Sequence, residues 1–126
     1  MNATELPNSG VYVVLLALRH QTRVDIGRIG CHELPAGLYA YVGSAQRTLP
    51  ARLARHARRK KKRHWHIDHL TCRARVVGAM AVEGGKSLEC RIANGLAKRF
   101  ARIIPRFGAS DCRCGGHLFL LAARGK

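Results

Sequence analysis

Residues 10–18 read GVYVVLLAL and residues 38–42 read LYAYV. The first run is β-branched and aromatic at its start and apolar throughout, which predicts a buried strand. The second predicts another strand, entered through the turn signal Pro35-Ala36-Gly37. Between them, residues 23–29 (RVDIGRI) alternate apolar and polar side chains, as a partly exposed strand does. Three short strands within the first 43 residues, joined by turns, predict an antiparallel meander.

The pattern then changes period. Gly43-Ser44-Ala45 end the second strand, and a helix is expected to follow. Thr48 is its expected N-cap, and Pro50 is tolerated in a first turn. Leu49, Leu53 and Ala57 form one apolar stripe, and the other faces carry Arg52, Arg55, Arg58 and Arg59. The helix is expected to run on into residues 60–63. Residues 64–70 (HWHIDHL) fit neither period. Residues 73–82 (RARVVGAMAV) read as a further strand, and Gly84-Gly85 as a turn. Ser87 is the expected cap of a second helix over residues 88–101, whose buried face is Leu88, Ile92, Leu96 and Phe100. A loop rich in Gly, Ser and Cys spans residues 107–116, and residues 117–122 form a last strand. No repeat, linker or second domain interrupts this. The 126 residues are read as one domain with a core over about residues 10–122.

Charge bounds the partner. Lys and Arg number 23 against seven Asp and Glu, a net charge of +16. A field of that sign attracts polyanions, and nucleic acid gains further from counterion release. Ribosomal proteins and binders of anionic membranes are also basic. Here nine of the cations, Arg47, Arg52, Arg55, Arg58, Arg59, Lys60, Lys61, Lys62 and Arg63, fall within residues 47–63, and no acid lies among them. Such a run repels itself and favours a polyanion, against the reading of a merely solvated face. Trp65 beside it could stack on a base, although a single Trp is more often core. The longest apolar run, residues 11–18, is far below the ~20 residues that span a bilayer. No membrane partner is expected. The five cysteines are odd in number and residues 1–9 are short and polar, so free thiols in a reducing cytoplasm are expected.

Several residues could carry chemistry. Gly10-Val11-Tyr12 and Tyr41-Val42-Gly43 each put a tyrosine near a glycine in a strand. Core packing alone explains many strand tyrosines. Nine residues after Gly43 comes Arg52, and His56 follows at i+4 on the same helix face. Glu89 opens the second helix. Two tyrosines, an arginine, a histidine and one carboxylate make a workable phosphodiesterase set. The carboxylate can hold a hard cation, a tyrosine or histidine can assist deprotonation of water, and the arginine can balance transition-state charge. For Glu89 the competing reading is an acid that complements a helix dipole.

In this order and spacing the chain resembles the GIY-YIG endonuclease superfamily. The resemblance implies an α+β fold with a small mixed, largely antiparallel sheet flanked by helices. It implies DNA cleavage with one Mg²⁺ or Mn²⁺ ion. It places the motif tyrosines at Tyr12 and Tyr41, the catalytic arginine at Arg52, the histidine one turn on at His56, and the metal-binding glutamate at Glu89. A closer likeness is to the Uri-type branch of small stand-alone proteins, whose domain also occurs fused to an endonuclease III-like glycosylase. That likeness runs through PAGLYAYVGSA (35–45), ARLARH (51–56), HWHIDHL (64–70) and FGASDCRCGGHL (107–118).

Two segments lie outside the wider pattern. His64, His66 and Asp68 share one side if extended, which would suit a metal or proton-transfer site, or else a structural hydrogen-bond network. Cys112, Cys114 and His117 could supply three zinc ligands, with Cys90 or Cys72 as a fourth; the alternative is buried thiols in a loop that shapes the site. Ser110 and Asp111 could instead cap a short helical turn. The leading expectation is a divalent-metal endonuclease that binds DNA in preference to RNA and serves repair or processing. A non-catalytic nucleic-acid-binding module and a zinc-stabilised accessory domain of a repair enzyme are the alternatives.

Overall fold

The computed structural model describes residues 6–63, 65–107 and 115–124. Its strands are β1 (Gly10–Leu18), β2 (Thr22–Asp25), β3 (Cys31–Leu34), β4 (Gly37–Ala45), β5 (Arg75–Val82), β6 (Ala101–Arg102) and β7 (Leu118–Ala123). Its helices are α1 (Leu49–Ala57), α2 (His66–Thr71) and α3 (Lys86–Ala97). The fold is α+β. Five strands form one sheet in the order β5-β1-β4-β7-β6, and all four ladders are antiparallel.

The expected meander does not form. β1 pairs directly with β4 over its whole length, from Gly10 opposite Ala45 to Leu18 opposite Gly37. The intervening residues fold out as a separate β2–β3 hairpin, in which the strand expected over 23–29 stops at Asp25. A 3-10 turn at Gly27–Ile29 ends it, with Gly27 at a φ of 55°. The apolar runs of β1 and β4 are better partners for each other than for the half-polar ribbon, because both are buried in mid-sheet.

The alternation of β1 divides two cores. Tyr12, Val14, Leu16 and Leu18 point to one face, where Leu49 of α1, Ile67 and Leu70 of α2, and Val24 and Leu34 of the hairpin cover them. Val11 and Val42 point to the other face, with Phe119 and Ala93. There Leu88, Ile92 and Leu96 of α3 pack half-buried on the expected face, and Phe100 joins them from beyond the helix end. Burying one such large apolar side chain contributes about 1.5–3 kcal/mol.

The helix ends differ from expectation. Thr48 precedes α1 in a left-handed conformation, φ 56°, and makes no side-chain cap. Its hydroxyl donates to the Arg47 carbonyl, while Asn8 takes the Thr48 and Leu49 backbone N–H groups. The buried residues of α1 are Leu49 and His56, with Leu53 half-buried, so the third place in the stripe belongs to His56 and Ala57 is exposed. α1 stops at Ala57, where Arg58 turns extended and Lys61 donates to the Arg55 and His56 carbonyls. Gly85, not Ser87, is the N-cap of α3, which ends at Ala97. Among the described residues no helix is long and apolar enough to cross a membrane.

Candidate active site

The antiparallel ladder puts the start of β1 beside the end of β4, with Tyr12 opposite Gly43. A cleft of about 1030 Å³ opens at this end of the sheet, between α1, α2 and the start of α3. Tyr12, Tyr41, Arg52, His56 and Glu89 all line it.

Two glycines make the geometry possible. At Gly43 a Cβ would stand 2.6 Å from both Cζ and the hydroxyl oxygen of Tyr12, so the bare backbone admits the phenol ring. At Gly10, φ is 150° and a Cβ would stand 2.2 Å from the Val82 carbonyl oxygen. Gly43 thus seats the Tyr12 ring, and Gly10 lets the start of β1 lie close against the Val82 backbone of β5.

Tyr12 and the His56 Nε2 share a hydrogen bond of 2.9 Å. Both side chains are buried, at 2% and 1% exposure. Burial pushes the Tyr12 hydroxyl up to about 12, against a smaller opposing effect of Arg52. Burial, with Lys61 nearby, holds His56 down at about 4. At neutral pH the phenol is therefore protonated and the imidazole neutral. Tyr41 stands edge-on to His56, with ring centres 6.1 Å apart, and burial raises its hydroxyl well above the ordinary value.

Ser44 ties the other half together. Its carbonyl accepts from Arg52 Nη1 at 2.8 Å, and its hydroxyl donates to Glu89 Oε1 at 2.5 Å. Glu89 Oε2 lies 2.9 Å from Nδ1 of the buried His117, and Lys86 Nζ lies 3.4 Å from Oε1. Burial alone would raise the Glu89 carboxyl. Its contacts with His117, Ser44 and Lys86 outweigh that and leave it below the usual carboxylate range. A buried, ionised carboxylate at the floor of a wide cleft suits a hard divalent cation, which needs few protein ligands and completes its shell with water and substrate oxygens. Among the described residues no group of three or more His, Cys, Asp and Glu forms an all-protein metal cage.

The segment around α2 takes a role that its sequence does not spell out. Residues 66–71 are helical, so His66 and Asp68 do not share a side as an extended chain would have them. His66 faces the cleft and the Phe107 ring, 5.7 Å away, and burial lowers its pKa. Asp68 is fully buried and takes a two-pronged ion pair from Arg55, at 2.7 and 2.9 Å. Trp65 lines the cleft, with the Arg52 and Arg55 guanidinium carbons 4.6 and 4.5 Å from its ring centre.

Of the expected nucleic-acid contacts, Arg55 and Lys61 are thus engaged internally. Arg47, Arg58, Arg59, Lys60, Lys62 and Arg63 are exposed, and Arg47 also lines the cleft. Arg59 reaches the Arg73 carbonyl at 3.1 Å. His117 faces Glu89. His64, Ser110, Asp111, Cys112 and Cys114 lie outside the described residues. Sequence reasoning missed Ser44 and Lys86. Ser44 could have been found from its place next to Gly43 in a strand that continues to Ala45.

The chain belongs to the family described as Domain of unknown function DUF123, whose model matches residues 11–126. No curated protein and no solved structure matches it.

Proposed function

We propose that this member of the DUF123 family is a divalent-metal-dependent endonuclease that hydrolyses DNA phosphodiester bonds. The observation that carries the reading is convergence. Tyr12, Tyr41, Arg52, His56 and Glu89 come from β1, β4, α1 and α3, and all line one cleft. A core-packing role for the tyrosines does not require an arginine and an ionised carboxylate beside them.

The chemistry follows from the protonation states. Neutral His56 shares a hydrogen bond through Nε2 with the Tyr12 hydroxyl. As a water attacks phosphorus and the bond to the leaving sugar oxygen breaks, the Tyr12 oxygen accepts a hydrogen bond from the water and orients it, the water's proton passes to solvent in the open cleft, and the leaving oxygen takes a proton from solvent. Arg52, steadied on the Ser44 carbonyl, faces the charge that develops on the phosphoryl oxygens. Glu89 is the residue that would hold Mg²⁺ or Mn²⁺, which when bound supplies positive charge to the phosphate. Arg47 at the cleft and the exposed cations of residues 58–63 would carry the flanking backbone. A cytoplasmic role in DNA repair or processing suits this activity.

The test is a cleavage assay on duplex, branched, damaged and single-stranded DNA and on RNA, with and without Mg²⁺ or Mn²⁺. Metal-dependent cutting by the wild type, lost in Glu89→Ala with binding retained, supports the reading. Salt-sensitive binding with no cutting of any probe would instead assign a non-catalytic nucleic-acid-binding module, which the basic surface alone could support.

A further inference from the structure

Trp65 is the single tryptophan of the chain. It is half-buried against the apolar core and lines the cleft, and its ring also meets cations. Two guanidiniums approach it, Arg52 at 4.6 Å and Arg55 at 4.5 Å from the ring centre. Like charges do not gather on one indole without fixed partners, and both arginines have them. Arg55 is forked onto Asp68 and also donates to the Lys62 carbonyl at 2.8 Å. Arg52 donates to the Ser44 carbonyl. Asp68 in turn accepts the Trp65 backbone N–H at 2.8 Å. One fully buried carboxylate therefore fixes Trp65 twice, directly through its backbone and indirectly through Arg55 against its ring.

We propose that Trp65 is a positioning residue for Arg52, which the Asp68–Arg55 ion pair holds against the guanidinium so that it is aimed into the cleft before substrate arrives. This rests on the endonuclease reading for its consequence, not for its geometry. An arginine side chain is long and flexible, and bonds to the Ser44 carbonyl and the Tyr12 hydroxyl hold the edge of the fork while its face stays uncovered. The indole supplies the constraint on that face. Cation–π contact favours a guanidinium over an ammonium here, because the flat fork can stack and still donate at its edge. Preorganised charge contributes more to catalysis than charge that must be ordered during the reaction. The role also accounts for the Trp-x-x-Asp spacing of Trp65 and Asp68, since the aspartate must sit three residues on to cap the tryptophan's own N–H.

The experiment uses the sole tryptophan as its reporter. Arg52→Ala should change the emission maximum and intensity of Trp65 in the folded, metal-free protein; an unchanged spectrum overturns the stack, whether or not the protein cuts. On the best DNA probe with Mn²⁺, Trp65→Ala should lower kcat by about tenfold or more while KM and metal-free binding hold. Trp65→Phe, which keeps an aromatic face, should restore most of the rate and serves if the alanine variant does not fold. A raised KM with kcat unchanged would overturn the proposal and give the ring to base stacking. Should the wild type cut nothing, the endonuclease reading falls, and the emission of Arg52→Ala still decides the stack.

Discussion

The Tyr12 hydroxyl and the His56 Nε2, 44 residues apart in the chain, share a buried hydrogen bond of 2.9 Å. The pair couples a strand to a helix. The imidazole's other nitrogen, Nδ1, is buried and has no hydrogen-bond partner among the described residues. Such a site favours one neutral imidazole and penalises the imidazolium.

That penalty predicts a pH dependence of stability. His56 titrates near 4 when folded and near its ordinary value of 6.5 when unfolded. Between those values the unfolded chain binds more protons, so stability rises with pH across this window. Lowering pH from about 7 to about 4 should cost about 2–3 kcal/mol from this group. Urea unfolding at both pH values measures it, and His56→Gln should show a smaller difference than the wild type.

Gly43→Ala should act through Tyr12. The new methyl would stand 2.6 Å from the phenol, so the ring must move away from His56. A loss of about 1–3 kcal/mol is expected, as for overpacked cores. Activity should fall as well, and thermal unfolding beside the cleavage assay separates the two effects.

Arg55 should behave as a structural residue. Removing it leaves the Asp68 carboxylate buried and without its two-pronged partner. Arg55→Ala should therefore destabilise the fold by about 3–5 kcal/mol. A calorimetric scan that finds the melting temperature unmoved would show that the ion pair contributes nothing.

The exposed cations should behave in the opposite way. Reversing Lys60, Lys62 and Arg63 to Glu should leave the fold near wild-type stability, weaken nucleic-acid binding and flatten its dependence on salt. Binding titrations between low and moderate salt measure the slope, and an unaltered slope would place the phosphate track elsewhere.

Arg52→Ala should slow cleavage by about 10²–10³, the cost of losing one preorganised charge at a transition state. Single-turnover rates at saturating enzyme report the chemical step free of binding.

The sequence by itself determined the elements and the charge. Continuous apolar runs specify β1 and β4, a four-residue apolar recurrence specifies α3, and the excess of Lys and Arg needs no structure to be seen. It also brought out Tyr12, Tyr41, Arg52, His56 and Glu89, because glycine, helix and residue type mark them at fixed spacings. Tertiary structure decided what each polar group is for. Arg55 and Arg58 are alike in sequence, yet one is forked onto a buried carboxylate and the other is exposed. Nothing near His117 in the sequence points to Glu89, yet the two meet from 28 positions apart. Ser44 looks like the end of a strand, yet it joins Arg52 to Glu89. The physical reason is range. Apolar periodicity is a local pattern that each segment carries alone, whereas a polar side chain's role depends on its partner, and the fold brings that partner from elsewhere in the chain.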